Sequence, residues 1–241
     1  MNKPCSDPQS PKSGGSSKTE RLVAAIKQGT VIDHIPADKT YHVANLLGLF
    51  DLKTPVDDPL ILFRGALDHC QAEIIVTQAM LDQEILFARS IDPAIEASLK
   101  RLQNDLQELL DVLRDIMTAE YTGEPLKGVH SDGSGGTFRL FGLTLDELQE
   151  HSHNAEEHYG IPTMTRPDHR YGEVYAHLNL IRTELRQVES AGVRLFLDQV
   201  GNASREDILY VLNRLSSAAH VLMCRHLSEL RPDTRHAEQE V

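Results

Sequence analysis

Several features that direct a chain towards membranes, disulfide frameworks or nucleic acids are scarce or absent among these 241 residues. Tryptophan is absent, and no apolar run approaches the roughly 20 residues that cross a bilayer. The three cysteines, Cys5, Cys70 and Cys224, are widely spaced and form no C-x-x-C pair, as expected for a reducing compartment. Acidic residues outnumber basic ones by 36 to 24, and the net charge of −12 opposes general binding to nucleic acid or anionic lipid.

The two ends of the chain are polar and offer little that a core could bury. Residues 1–19 consist largely of Pro, Ser, Gly and Lys, which predicts a disordered tail. They lack the apolar core of a signal peptide, so a soluble cytoplasmic protein is expected. Residues 232–241 predict a second polar tail. Between the tails we distinguish an appendage, residues 20–57, from a larger helical domain, residues 58–231.

The larger domain carries the apolar periodicity of long helices. Helices are predicted over residues 60–92, with a break at Pro93, and over residues 94–121. Two more are predicted within Gly172–Phe196 and Ser204–Leu230. The positions predicted to be buried are, in chain order, Leu62, Ala66, Cys70, Val76 and Met80; Leu99, Leu102, Leu106, Leu109, Leu113 and Ile116; Val174, Leu178, Ile181, Leu185, Val188, Gly192 and Leu195; Ile208, Leu212, Leu215, Ala219 and Leu222.

Capping residues mark two helix starts. Thr144 and Glu147 have the spacing of a capping box and predict a further helix there. Ser204 with Asp207 gives a second start signal, and Asn202 is another candidate cap.

Basic residues lie beside the apolar stripe of the segment Gly172–Phe196. Arg182, Arg186 and Glu189 are at i, i+4 and i+7, which places them in one line along a helix. Asn213 and Arg214 directly follow a buried position of the next helix. Guanidinium groups at the border of a core need anions. The pattern alone leaves two interpretations open, an internal Arg–Glu lattice that braces two helices and a phosphate site.

Histidines are dense between the predicted capping box and the last two helices. His151, His153, His158 and His169 raise the question of a metal site. His151 and His153 are two residues apart, so a helix directs them differently, and no cysteine is nearby. We therefore assign no metal ligand from the sequence.

Two segments carry a resemblance to a known family. LNLIRTELRQVE and VLNRLSSAAHVLM resemble the last two helices of ATP-dependent corrinoid (cobalamin) adenosyltransferases, and are most similar to the ethanolamine-utilisation type. That family pairs L-x-x-x-R-T-x-x-R-x-x-E with N-R-L-S-D, and Ser217 replaces the final acidic residue here. GLTLDELQEHSH is similar as well, and the resemblance spans roughly residues 59–230. The metal-binding cysteine cluster of ethanolamine-type enzymes has no counterpart in this sequence.

The resemblance implies an all-α fold, an up-and-down bundle of about five helices preceded by a short strand–helix appendage. It also implies that ATP reacts with cob(I)alamin to give adenosylcobalamin and triphosphate, with Mg²⁺ as the companion of ATP. The expected catalytic residues are Arg182, Arg186 and Asn213, and the expected ATP contacts add Glu189, Arg214 and Ser217. The expected corrinoid contacts are Arg64, Asp68, Tyr159, Ile161 and Met164.

The family also suggests partners and a location. ATP and a reduced corrinoid are the expected small-molecule partners, and a homo-oligomer, by analogy a trimer, is the expected assembly. Neither nucleic acid nor membrane is expected, and the cytoplasm, with association with a bacterial microcompartment, is the expected location. A non-catalytic regulatory protein that senses a nucleotide or delivers cobalamin is the alternative.

The appendage carries a second resemblance. A short strand, Thr30–Pro36, and a short helix, Tyr41–Leu49, are predicted. AIKQGTVIDHIPADK resembles the start of the aspartate carbamoyltransferase regulatory chain, in which the residues that match Asp33 and His34 lie at a nucleotide-effector site. One strand and one helix cannot form an independent core, so the segment is either a structural appendage or a nucleotide sensor.

Overall fold

The computed structural model describes residues 40–43, 52–55, 58–130, 136–162 and 165–230, the first two ranges as backbone alone. Two units are distinguished, Met1–Thr40 and Tyr41–Val241; of the first only Thr40 is described, and every described helix lies in the second. The predictions outside the described residues are the two tails, the strand Thr30–Pro36, the effector residues Asp33 and His34, and Met164.

The part of the appendage that is described is extended. β1 (Thr40–Val43) and β2 (Leu52–Pro55) form a two-stranded sheet. The prediction of a helix from Tyr41 is therefore wrong for Tyr41–Val43, and the rest of that predicted helix lies outside the described residues. Thr, Tyr and Val favour extended backbone, which accounts for the difference.

Prolines open both of the first two long helices. α1 (Pro59–Ala88) follows Asp58, and α2 (Pro93–Thr122) follows Asp92. Each aspartate accepts a hydrogen bond from a backbone N–H of the first turn, and each proline occupies a position whose N–H has no helical partner. α2 ends at Gly123, whose φ of 76° is left-handed. The four-residue connection at residues 89–92 makes α1 and α2 antiparallel neighbours.

A hairpin and two short helices precede the last pair of long helices. β3 (Arg139–Leu140) pairs with β4 (Leu143–Thr144) in antiparallel register. The helices after this hairpin are α3 (Leu145–His153), α4 (Ala155–Tyr159), a 3₁₀ turn (His169–Tyr171), α5 (Glu173–Phe196) and α6 (Glu206–Leu230). Among the helices that the structure describes, none combines the length and apolarity needed to cross a bilayer.

The long helices form a bundle around one apolar core. α1 packs on α2 and α5, and α6 packs on α2 and α5, so that each long helix has two long neighbours. α3 lies against α6 as a shorter fifth helix. The all-α helical bundle predicted from the sequence is confirmed.

The buried faces of α2, α5 and α6 are those predicted. Every predicted position on these helices is buried except Leu195, which is partly buried. The predicted face of α1 is only partly right: Cys70 is buried and Ala66 and Met80 are partly buried, but Leu62 and Val76 are 42% and 53% exposed. α1 is apolar on two sides, and the side one residue further round faces the core. The buried residues of α1 are Phe63, Leu67, Cys70, Ile74, Thr77, Leu81, Ile85 and Ala88.

Only one of the predicted helix starts uses the predicted cap. Thr144 and Glu147 form the capping box. The prediction for Ser204 is wrong, because α6 begins at Glu206 and the Ser204 hydroxyl donates to the Phe196 carbonyl. Asn202 is no cap either, since its side chain amide donates to Asp198.

Gly192 allows α5 to approach its neighbours closely. A Cβ at this position would lie 2.7 Å from Cδ1 of Leu212 on α6 and 3.2 Å from Cε2 of Phe63 on α1. Both neighbours are fully buried, so neither can move aside freely.

Replacing Gly192 with valine is expected to lower the free energy of unfolding by about 2 kcal/mol, because the added atoms overpack this contact. Gly65→Ala is the matched control: a Cβ at Gly65 meets nothing within 4 Å, so the helix should gain roughly 0.5–1 kcal/mol. Urea unfolding followed by circular dichroism measures both. A Gly192→Val variant as stable as the wild type would contradict the close approach.

Candidate functional site

A polar concavity lies where α3, α5 and α6 meet. It has a volume of about 690 Å³ and is bordered by the segment Thr165–Pro167 before α5. We call it the arginine cavity. The lining residues that matter for its chemistry are Arg182 and Arg186 from α5, Ser217 and His220 from α6, His153 from α3, and Arg166.

The two α5 arginines of the cavity, Arg182 and Arg186, have no carboxylate partner among the described residues. Arg182 donates from Nε and Nη2 to Asn179 Oδ1, at 3.3 and 3.0 Å. Burial, and then the charge of Arg186, lower the pKa of Arg182. These two side chains therefore form no internal Arg–Glu lattice, and the cavity is suited to an anion.

The other polar residues predicted on α5 and α6 form an adjoining bridge. Asn213 Nδ2 donates to Glu189 Oε1 at 2.7 Å, and Arg214 Nη1 contacts Asn213 Oδ1. The Arg214 guanidinium lies over the Tyr210 ring, 5.0 Å from its centroid. Its Nε is buried and has no hydrogen-bond partner among the described residues. Asn213 precedes Ser217 by one turn of α6, so the bridge extends the polar line of the cavity.

Two histidines of the cavity, His153 and His220, are not among the ATP contacts predicted from the sequence. The pKa of His220 is lowered, first by burial and then by the nearby charges of Arg182 and His153. His220 could have been found from the sequence, because it lies three residues after Ser217 and shares its helix face. His153 could not, because only the packing of α3 on α6 brings it there.

Two of the predicted corrinoid contacts lie on another part of the bundle. The Arg64 Nε is 2.8 Å from Glu120 Oε2, and its guanidinium is 5.4 Å from the centre of the Tyr121 ring. Asp68 follows one turn later on α1 and is exposed. Neither residue lines the arginine cavity.

The corrinoid contacts predicted around residue 160 lie in different environments. The Tyr159 hydroxyl lies 2.8 Å from His151 Nδ1, and the Tyr159 ring borders a second cavity of about 550 Å³. Ile161 is 2% exposed and belongs to the core. The arginine cavity is instead bordered by Thr165 and the two residues after it.

Comparison with known proteins covers most of the chain. The sequence profile of the family described as cobalamin adenosyltransferase matches residues 48–226. The chain is similar to corrinoid adenosyltransferase EutT of Salmonella typhimurium, with 31% identity over 173 residues, 68% of this chain and 60% of the relative. It is 32% identical to EutT of Escherichia coli K12 over 165 residues, 65% of this chain and 57% of the relative. The matched part thus spans less than two thirds of these curated relatives.

A second similarity lies at the N-terminal side. The profile of the allosteric domain of the aspartate carbamoyltransferase regulatory chain matches residues 21–62. The regulatory chain of Porphyromonas gingivalis is 63% identical over 35 residues, 14% of this chain and 23% of the relative. No solved structure shows a significant similarity.

Proposed function

This chain belongs to the cobalamin adenosyltransferase family, and from that premise we propose that it transfers the 5′-deoxyadenosyl group of ATP to the cobalt of a reduced corrinoid. The products are adenosylcobalamin and triphosphate. The observation that supports this reaction best is the pair Arg182 and Arg186, which face a cavity without a described carboxylate partner. We propose the cytoplasm, in association with a bacterial microcompartment, as the location.

The reaction is an alkyl transfer that needs no protein nucleophile. Cobalt(I) supplies the electron pair of the new cobalt–carbon bond, the C5′–O bond of ATP breaks, and the triphosphate leaves with that bond's electrons. The protein's task is to hold C5′ in line with cobalt, and such positioning can contribute roughly 7–11 kcal/mol. Its second task is to stabilise the charge on the leaving oxygens.

The residues of the arginine cavity suit the leaving triphosphate. Arg182 and Arg186 can present forked N–H donors to phosphate oxygens while remaining charged. Ser217 adds a hydroxyl donor to the lining. We assign Asn213 and Arg214 to the neighbouring part of ATP, with Glu189 holding the Asn213 amide in place.

We propose that Arg64, Asp68, Tyr159 and Met164 contact the corrinoid, Arg64 and Asp68 from a neighbouring copy in a homo-oligomer, by analogy a trimer. Ile161, which is 2% exposed, is not assigned a direct contact. A second copy is supported by the outward side of α1, which is unusually apolar. Its exposed large side chains are Leu62, Ile75, Val76, Leu86 and Phe87.

The described lining does not provide a magnesium site of its own. Mg²⁺ prefers carboxylate and phosphate oxygens, and no described residue of the cavity lining is acidic. Ser217 stands where the family has an acidic residue. We therefore assign no step to Mg²⁺, which would reach the site on the phosphates of ATP.

The direct test follows the absorbance of cobalamin under anaerobic, reducing conditions with ATP and Mg²⁺. We expect cob(I)alamin to convert to adenosylcobalamin only when ATP is present, with one triphosphate formed per cobalamin. Absence of conversion by a chain that binds ATP and reduced cobalamin would contradict the reaction.

The second candidate function is a nucleotide-sensing or cobalamin-delivering regulator, and the profile match over residues 21–62 favours it. Equilibrium binding separates the two. An enzyme should bind reduced cobalamin together with ATP. A sensor should bind nucleotide alone and lose it in an Asp33→Ala variant, whereas a delivery protein should bind cobalamin without converting it.

His220 gives the cavity an expected pH dependence. Burial, Arg182 and His153 keep its pKa below the ordinary value of about 6.5, so the ring is neutral at pH 7 in the empty cavity. A bound polyphosphate raises that pKa and drives proton uptake. Tripolyphosphate affinity should therefore rise as the pH falls from about 7.5 to about 6.

Calorimetric titration at both pH values, with His220→Asn as comparison, measures this effect. The difference between the two proteins isolates the contribution of the His220 ring from that of tripolyphosphate itself and of the other groups around the ring, which are Arg166, Arg182, Arg186, Tyr175, Cys224 and His153. Equal pH dependence in both proteins would contradict the contribution of His220.

A further inference from the structure

A group of nitrogen and oxygen donors lies outside the arginine cavity, where α3 gives way to α4. Glu150 and His151 are in the last turn of α3, and His158 is in α4. The break between these helices brings His158 back against His151, so that their rings stack with centroids 3.7 Å apart. One ligand atom from each of the three residues lies within 4.8 Å of the other two.

The carboxylate of Glu150 holds the group together. Its Oε2 is 2.9 Å from His158 Nε2 and 3.8 Å from His151 Nε2. An ion pair with His158 accounts for the shorter distance, but it does not account for the second imidazole stacked on the first.

Outer partners orient two of the three donors. His151 Nδ1 is 2.8 Å from the Tyr159 hydroxyl, which leaves Nε2 turned towards Glu150. The Glu150 Oε1 accepts from Asn154 Nδ2 at 2.9 Å. A ligating histidine fixed through its other nitrogen, and a ligating carboxylate fixed by a further donor, are the usual surroundings of a metal site.

We propose that Glu150, His151 and His158 bind a divalent transition metal, with Zn²⁺ as the reference ion. Two imidazole nitrogens and one carboxylate oxygen form a donor set that suits Zn²⁺ or Fe²⁺ better than Mg²⁺ or Ca²⁺. The side chains of His151 and His158 are 21% and 26% exposed, so an ion can enter from solvent and complete its coordination with water.

Binding requires one movement. The rings are tilted by 12° and direct their lone pairs side by side rather than towards one point. Because His151 is held by Tyr159, His158 is the ring that turns out of the stack. The site contains no cysteine and therefore needs no thiolate. It shares no residue with the arginine cavity, so this proposal does not depend on the proposed reaction.

The test uses the untagged full chain without ATP or cobalamin. Calorimetric titration with ZnCl₂ should show one site per chain, and titration with Co²⁺ should give the visible absorption of a bound ion. His158→Ala and Glu150→Gln are each expected to weaken Zn²⁺ binding at least about tenfold. Tyr159→Phe, which removes an orienting partner of His151, should weaken it less.

His169→Ala is the matched control, because His169 is 92% exposed and lies outside the group. Circular dichroism verifies that each variant is folded; Glu150→Gln changes an exposed side chain and should preserve the fold if His158→Ala does not. If the wild type binds no Zn²⁺, or if His158→Ala and Glu150→Gln bind it as tightly as His169→Ala, the proposal is overturned.

Discussion

Replacing Arg186 with alanine is expected to lower kcat/KM for adenosylation by about 100-fold or more, because the leaving triphosphate loses a charged donor that bears on the transition state. The structure supports so large an effect. Arg186 lines the arginine cavity beside Arg182, and the charge of Arg186 helps to lower the pKa of Arg182. The assay measures adenosylcobalamin formation from cob(I)alamin at varied ATP concentrations.

Two further variants sharpen this result. Arg186→Lys should recover part of the lost rate, since it restores the charge but not the forked donor geometry. Arg194→Ala is the matched control, because Arg194 lies two turns further along α5 and is exposed outside the cavity. An Arg186→Ala variant with unchanged adenosylation and ATP affinity would remove the triphosphate role from this residue.

Replacing Asp207 with asparagine is expected to lower the free energy of unfolding by about 3 kcal/mol, the largest stability effect that we expect of a single polar change. Asp207 is 5% exposed. It accepts from Arg205 Nε and Nη2 at 2.9 and 2.8 Å and from the Leu126 N–H at 2.9 Å. Arg205 also donates to the Ala119 carbonyl at the end of α2. The variant would leave a partly buried guanidinium without its anion.

The pH dependence of this loss follows from the pKa of Asp207. Burial acts to raise that pKa, but hydrogen bonds from Arg205 and Leu126 outweigh it and lower the pKa below its ordinary value. The ionised form is therefore favoured in the folded state, and its contribution is present above about pH 4 and lost as the pH falls through the folded-state pKa. Urea unfolding at neutral and acidic pH measures the difference between variant and wild type.

Asp111→Asn is the control for Asp207→Asn, because Asp111 pairs with Arg114 on the surface of α2. A surface ion pair contributes at most about 1 kcal/mol, so this variant should be nearly as stable as the wild type. If Asp207→Asn were no more destabilising than Asp111→Asn, the hydrogen bonds of Asp207 with Arg205 and Leu126 would not contribute the expected 3 kcal/mol, on the order of a buried ion pair, to the free energy of unfolding.

Helix periodicity located the core where a helix has one apolar face. α2, α5 and α6 each have a single stripe, and their buried positions were predictable. α1 has two apolar sides, and periodicity could not decide between Leu62 and Phe63. That decision depends on which side α2 and α5 cover, and it is made by packing rather than by the local sequence. The prediction of a cap at Ser204 failed for a related reason, because its hydroxyl donates to the Phe196 carbonyl at the end of α5.

The polar site likewise contains residues that helix spacing could place and residues that only packing brings there. Arg182, Arg186 and Ser217 could be placed from helix spacing and from the family motif, and the structure brings these three together. Their assigned roles stay predictions. His153 enters the cavity from α3, which is far away in sequence from α6, so no spacing rule could find it. The meeting of His151 with His158 likewise depends on the break between α3 and α4.

The most direct measurement is the equilibrium affinity of the full chain for inorganic tripolyphosphate, with and without the double substitution Arg182→Ala and Arg186→Ala. The arrangement of the arginine cavity predicts that the wild type binds tripolyphosphate and that the double variant binds it at least about 100-fold more weakly, with Arg194→Ala unchanged. Equal affinity of the wild type and the double variant would show that these two arginines do not receive the leaving group.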